Sequence, residues 1–292
     1  NQGMKKGSGT RSGLLWEIEL ILKELKTIGK LPKYLLLENV KNMLSNKHID
    51  DYKEWISFLK DMGYNTKTFI LDALNYGIPQ HRERVYALSI LDDEEYDDTY
   101  SATDQNQIVD TNGWVENMSP EIGVAKKMNN ILKTNYTNKM YFEEAQLANP
   151  NRTPSRKRMF DDNYLLYTND EAKLKRRKRL PMNNEYIKTK SGFYLSYCRT
   201  ITTKQDRNPN AGVIDLAGTV FDTSRDKDKA KYRFLTNREA YLLMGFDDGD
   251  FGNIKKMNLR KDIMYRQAGN SIVVNVLISI FYFMVKQKWR EK

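Results

Sequence analysis

Between Leu14 and Ile90 the chain alternates between helical and strand periodicity, and this alternation narrows the possible folds more than any other feature. Leu14, Ile18, Ile21, Leu22 and Leu25 recur at the spacing of one helix face, and Gly29 ends the run. Pro32 then introduces Tyr34–Leu37, a continuous apolar run like that of a strand covered on both faces, which stops at Glu38–Asn39. Tyr52, Trp55, Ile56, Leu59 and Met62 mark a second amphipathic helix over 51–62, closed by Gly63. Thr66–Leu71 and Val85–Ile90 read as two further strands, joined through a turn at Gly77–Ile78–Pro79. The pattern is that of a doubly wound α/β sheet.

The C-terminal end returns to helices. Thr236, with Glu239 three residues on, forms a capping box that opens a helix over Asn237–Met244. Val273–Val285 is apolar nearly all round and requires burial against a large acceptor. The sheet of residues 1–90 is the natural acceptor, so 1–90 and 233–292 are expected to form one α/β body. Residues 91–232 are then an insert. They mix short β-prone pieces, such as Gly192–Ser196 and Gly212–Val220, with Asn, Pro and basic loops, and carry no long helical period.

Charge supports the same division. The 292 residues carry 48 Lys and Arg against 38 Asp and Glu, a formal charge of +10 that favours a polyanionic partner. Residues 91–110 hold eight acids and no Lys or Arg, and read as a solvated connector. Residues 111–232 hold 23 basic and 14 acidic side chains. Two clusters stand out there, Arg152 with Arg156–Lys157–Arg158, and the run Lys173–Arg179 that contains Arg176 and Arg177. Among many Tyr, Asn and Thr, such clusters point to phosphate contact rather than to a merely solvated face. Residues 1–13 are glycine-rich and basic, a loop that includes Arg11. The single cysteine, Cys198, excludes an internal disulfide, and with only His48 and His81 no zinc cage is expected. No stretch approaches the ~18 apolar residues of a membrane span. A cytoplasmic, nucleoid-associated protein follows from this reading.

Three short constellations carry chemistry. Glu38 lies at the carboxyl end of a strand, the edge of an open α/β sheet where ligands bind, and a carboxyl group there can give or take a proton. Its plainer alternative is a strand-end carboxylate that caps the next loop. In Gln80–His81–Arg82–Glu83–Arg84, period two sends Gln80, Arg82 and Arg84 to one face and His81 to the other. Two guanidiniums on one face suit an anion or a carbonyl oxygen, or alternatively two structural ion pairs. The Gly269–Asn270–Ser271 turn, read as a helix start, exposes N–H groups and two short polar side chains able to hold a polar ligand or simply to cap the helix.

Taken in this order, the segments resemble the DNA cytosine-5 methyltransferases. Lys6–Glu17 is similar to the family's catalytic loop and the helix after its Pro–Cys motif, and Glu38-Asn39-Val40 to its ENV. Gln80-x-Arg82-x-Arg84 matches its QxRxR, and Arg233-x-Leu235-Thr236 with Glu239 and Gly245-Phe246 its RxLTxxE…GF helix. Gln267–Ser271 matches its GNS motif. The resemblance implies a Rossmann-like methyltransferase sheet with a smaller, mainly β or irregular, DNA-recognition domain inserted at 91–232. It implies methyl transfer from S-adenosylmethionine to C5 of a flipped cytosine in double-stranded DNA, in DNA methylation or restriction–modification. Glu38 would meet the base at N3 and its amino group, Arg82 its carbonyl oxygen, with Arg84 and Gln80 in support. Leu14, Asn270 and Ser271 would contact the cofactor, and Arg11 would close over the DNA. Cys198–Arg207 resembles a threonine-centred recognition signature, which makes Arg199, Thr200, Lys204, Gln205 and Arg207 candidates for base or phosphate contact.

The family's Phe-x-Gly-x-Gly cofactor loop and Pro–Cys–Gln nucleophile motif have no counterpart in these residues, which open on Asn1. Cys198 follows Tyr197 rather than proline and lies in the insert, so it is not expected to replace the nucleophile. The chain is therefore expected to supply DNA recognition and base-edge contacts, and to be inactive alone. The nucleophile would come from elsewhere, such as an N-terminal partner polypeptide. The alternatives are a non-catalytic DNA-binding protein and a subunit of a split methyltransferase.

Overall fold

The computed structural model describes residues 15–91, 128–156, 188–189, 192–193, 197–216, 218–223 and 228–290. They fall into two compact units, one drawn from 1–72 and 83–116, the other from 73–82 and 117–292. Among the described residues no helix is long and apolar enough to cross a membrane.

The first unit begins with helix α1 (Leu15–Thr27), strand β1 (Tyr34–Val40), helix α2 (Ile49–Asp61) and strand β2 (Tyr64–Asp72). After residues 73–82, which include the short strand β3 (Gln80–His81), the chain returns as β4 (Glu83–Leu91). The sheet order is β1-β4-β2, and both pairings are antiparallel. β1 and β2 therefore run the same way with α2 as their crossover, as the alternation predicts. β4 is the departure: the excursion from β2 is too short for a helical crossover, so the strand comes back reversed.

Leu15 and Leu22 of α1 and Tyr52, Trp55 and Leu59 of α2 cover one sheet face, where they meet Leu35, Leu37, Val85 and Ala87. The rings of Trp16 and Trp55 meet edge to face at 6.4 Å. β1 differs from the strand its leucines predict. Tyr34–Asn39 are only half-buried and Val40 is exposed, because β1 lies at the sheet edge.

The second unit holds α3 (Lys139–Ala148), β5 (Cys198–Arg199) and four consecutive helices, α4 (Asn237–Leu242), α5 (Asp248–Lys256), α6 (Lys261–Asn270) and α7 (Val274–Arg290). In the β-prone pieces, the described residues form two-residue strands at Gly192–Phe193 and Ile214–Asp215, and 194–196 and 217 lie outside them. Within residues 91–232, where no long helical period is expected, α3 is a ten-residue helix. Asn138 caps it, accepting from the N–H groups of Met140 and Tyr141. Helix α7 is buried along one stripe, at Val276, Ser279 and Ile280, while Ile278 and Phe281 are exposed, so it is not covered all round.

The capping box forms as read: Thr236 accepts from Glu239 N–H, and the Glu239 carboxylate accepts from Thr236 N–H. That carboxylate is also the centre of the unit. Arg233 donates to it twice, at 2.8 Å each, and neither side chain is exposed at all. Lys133 N–H donates to Glu239 at 2.8 Å, while Arg233 also reaches the Tyr136 hydroxyl (2.9 Å) and the Phe234 carbonyl (3.0 Å). Outside it, Arg238 bridges Glu144 on α3 and Asp248 on α5.

Burial acts to raise the Glu239 pKa, but the Arg233 charge and the converging N–H groups outweigh it and hold the carboxyl below its usual value. Its stabilising contribution is thus present above the unfolded value of about 4.3 and is lost as pH falls through the depressed folded value. Acid unfolding of the second unit, followed by circular dichroism, should begin below about pH 4. Glu239→Ala strands a buried guanidinium and should cost about 3–5 kcal/mol in urea unfolding at neutral pH.

Candidate functional site

In the first unit, Glu38 and Arg84 come together. Glu38 pairs across the sheet with Tyr86 and Val40 with Arg84, so Glu38 and Arg84 are diagonal neighbours on one face. Arg84 Nε lies 3.3 Å from Glu38 Oε1, and its Nη1 donates to the Glu83 carbonyl at 2.7 Å. Both side chains keep partial exposure, 15% and 22%. A planar donor and a two-oxygen acceptor are thus held side by side at the end of two strands, each partly exposed.

In the second unit, Gln80 and Arg82 are enclosed. Gln80 is fully buried. Its Nε2 donates to the Leu243 carbonyl (2.7 Å) and its Oε1 accepts from Ile201 N–H (2.9 Å). Arg82 donates to three main-chain carbonyls, those of Ile201 (3.1 Å), Gly269 (3.1 Å) and Ser271 (3.0 Å). These bonds tie the 201–207 loop to the end of α6. The single-face reading of the motif therefore needs correcting. Arg82 falls in the break between β3 and β4, and its guanidinium is spent on the backbone, whereas Arg84 is the arginine beside Glu38. His81 is exposed, as expected.

The recognition candidates divide by exposure. β5 runs parallel to β3, with Arg199 opposite His81, and Thr200 Oγ1 donates to the His81 carbonyl at 2.8 Å. Lys204 and Arg207 are exposed on a turn closed by Arg207 N–H and Asn208 N–H, both donating to the Lys204 carbonyl. Gln205, between them, is fully buried, which removes it as a surface contact: the turn that presents its neighbours points it inward. Arg11, Leu14, Arg176 and Arg177 lie outside the described residues.

The GNS motif ends a helix rather than starting one. Gly269 and Asn270 are the last residues of α6, and Ser271 N–H donates back to the Gln267 carbonyl at 2.9 Å. The signal for α6 was the Lys261–Ala268 segment, in which buried Tyr265 and Ala268 recur at a three-residue step. Asn270 presents an exposed side chain that suits a polar ligand. Ser271 suits one less, since its hydroxyl donates to the Ala268 carbonyl and its own carbonyl accepts from Arg82. A Cβ at Gly269 would stand 2.5 Å from Thr203 N and 2.6 Å from the Thr202 carbonyl carbon, so only glycine lets the 201–207 loop approach this closely. Cys198 is fully buried, and burial pushes its thiol well above its ordinary range.

The fold is a methyltransferase fold. It is shared with the S. pombe Dnmt2 methyltransferase (TM-score 0.59, 20% identity, over 97% of this chain and 75% of that one) and with the Entamoeba histolytica methyltransferase EhMeth (TM-score 0.53, 14% identity, over 94% and 69%). The sequence profile described as C-5 cytosine-specific DNA methylase matches residues 1–286, and the chain belongs to that family. It is 29% identical over 288 residues to the type II methyltransferase M2.ScrFI of Lactococcus lactis subsp. cremoris, covering 98% of this chain but 62% of that protein. Over 92 residues it is 45% identical to the orphan methyltransferase M.SssI of Spiroplasma monobiae, covering 32% of this chain and 24% of that protein.

Two measurements check these placements. Thiol titration of the folded chain should give no labelling of Cys198, with one equivalent released in urea. Gly269→Ala should cost about 1–3 kcal/mol in urea unfolding through backbone overpacking. Gly252→Ala on α5, where a Cβ meets nothing within 4 Å, should gain stability.

Proposed function

We propose that this chain provides the base-binding and DNA-facing part of a cytosine-C5 DNA methyltransferase, acting on flipped cytosine in double-stranded DNA in the cytoplasm. The observation that carries the reading is the Glu38–Arg84 pair on one sheet face, within a chain of this family. Glu38 meets the Watson–Crick edge of the extruded base, accepting from its amino group and sharing a proton with N3, which draws electron density from the ring as a nucleophile adds at C6. Arg84, rather than Arg82, then donates to the base carbonyl oxygen, because its guanidinium lies against Glu38 with an edge still accessible.

Gln80 and Arg82 act through the backbone, fixing the 201–207 loop, from which exposed Lys204 and Arg207 reach phosphates or bases together with Arg199 and Thr200. S-adenosylmethionine supplies the methyl group when bound, and Asn270 is the described residue whose exposed amide suits it. The attacking thiolate comes from a segment other than the described residues, since Cys198 is buried.

The test adds to this chain a polypeptide bearing the family's Pro–Cys segment and follows transfer of labelled methyl groups to duplex DNA. Transfer is expected from the mixture and not from the chain alone. Glu38→Ala should lower turnover by on the order of a hundredfold or more while DNA affinity changes little. Equal loss of affinity and turnover, or full turnover without Glu38, would overturn the assignment.

A further inference from the structure

Three cations far apart in the sequence meet at the end of α3, within the second unit. Leu147 is the last but one residue of that helix, and its carbonyl accepts from the Lys261 ammonium at the start of α6. Four residues on, Asn151 is held twice: its side-chain oxygen accepts from the Lys229 ammonium (2.7 Å) and its carbonyl from Arg156 Nη1 (3.0 Å). The backbone that carries these groups is closely stitched. Asn151 and Lys229 form an antiparallel bridge, Arg152 N–H donates to the Asp228 carbonyl, and the buried Asn149 amide donates to the carbonyls of Ala230 and Tyr232. Every acceptor that holds the three cations is neutral, and among the described residues none of the three forms an ion pair with a carboxylate. The side chains are half-buried, while their bonds lie at the surface. Burial, opposed by the Asp206 carboxylate and aided by the charges of Lys229 and Arg156, holds the Lys261 ammonium below its usual pKa. Asp206 also pairs with exposed Arg207 at 3.4 Å, so the cluster continues into the turn that carries Lys204 and Arg207.

We propose that Arg156, Lys229 and Lys261 form a backbone-phosphate site for duplex DNA, additional to the Lys204–Arg207 turn. Cations gathered at a surface without carboxylate partners repel one another, and a phosphate that enters relieves the repulsion while accepting charge-assisted hydrogen bonds. Donors are available for it, since an ammonium has three N–H groups and a guanidinium five, and the neutral acceptors now in place use few of them. The anion is not the cofactor, because S-adenosylmethionine carries no phosphate. Asn270, the residue that suits the cofactor, lies at the other end of α6, about 15 Å away at 1.5 Å per residue. An extended polyanion fits better than a single small one, because the three cations lie at the surface and run on toward Lys204 and Arg207. The proposal rests on the reading of this chain as the DNA-facing part of the enzyme.

The experiment measures binding of the full chain to a duplex of about 30 base pairs by fluorescence anisotropy, between about 50 and 200 mM salt. Arg156→Gln with Lys229→Gln should lower the slope of log affinity against log salt by about two, and affinity at low salt by roughly tenfold or more, with the circular dichroism unchanged. Adding Lys261→Gln should remove about one further unit of slope. Arg156→Lys with Lys229→Arg keeps both charges and should retain the slope of the unsubstituted chain. Duplex binding with the same slope in the Gln variants overturns the cluster and leaves the DNA-facing role standing, whereas a chain that binds no duplex overturns both. Titration of the unsubstituted chain with inorganic phosphate, read from the side-chain NMR shifts of Lys229 and Lys261, separates the two sources of phosphate. Saturation by inorganic phosphate, together with a salt slope that the substitutions do not move, would make this a free-phosphate site and overturn the duplex assignment.

Discussion

The buried pair of Arg233 and Glu239 is the interaction on which the second unit depends. Two charges without exposure are tolerable only if every donor and acceptor around them is used. That demand brings two stretches distant in sequence together: Lys133 and Tyr136 from before α3, and Arg233, Phe234 and Thr236 from the residues that lead into and cap α4. The N-terminus of α4 is thereby fixed. Its C-terminus is fixed independently, since Gln80 donates to the carbonyl of Leu243, the residue that caps the helix. Gly245 follows with φ +91°, and a Cβ there would stand 2.8 Å from Asn275 Oδ1, so the turn into the Gly–Phe pair also sets the start of α7.

From that anchored helix the constraint passes to the residues that face a ligand. The Gln80 amide oxygen accepts from Ile201 N–H while Arg82 binds the Ile201 carbonyl, so the loop bearing Lys204 and Arg207 begins at a residue held on both its backbone groups. The same guanidinium holds the carbonyls of Gly269 and Ser271 on either side of Asn270. One arginine therefore sets the spacing between the exposed basic turn and the exposed amide at the end of α6. A lysine could not do this, because its single ammonium lacks the rigid fork that reaches three carbonyls at once.

Elements with an uninterrupted period were legible in the sequence. The helices α1 and α2, the strands β1, β2 and β4 and the Thr236–Glu239 box lie where the spacing puts them, within a few residues at their ends. Pairing was not legible. Nothing in Val85–Ile90 says that the strand returns antiparallel; that follows from the length of the excursion before it. The motif Gln80-x-Arg82-x-Arg84 was read at a strict period of two, and the break at Arg82 divides it, sending Gln80 and Arg82 to the backbone and Arg84 to Glu38. Gln205 counts among the contact candidates only through the resemblance of Cys198–Arg207 to a recognition signature, and a tight turn separates adjacent side chains there into outward and inward sets. Helices α3 and α6 escaped because their apolar stripes are narrow and interrupted by polar residues.

β1 is the point at which sequence and structure make different demands on the same residues. Three consecutive leucines are the composition of a central strand, and the fold sets them at an edge, each only partly covered. Covering apolar surface lowers the free energy, so leucines that stay half-covered contribute less than full burial would give them. The Glu38 carboxylate lies one residue beyond the leucines, on the same face as Leu36, where the register sets it against Arg84 of β4. The cross-strand register then does for Glu38 what burial does for the buried pair of the second unit: it fixes a charged side chain by pairing it with an arginine on the neighbouring strand.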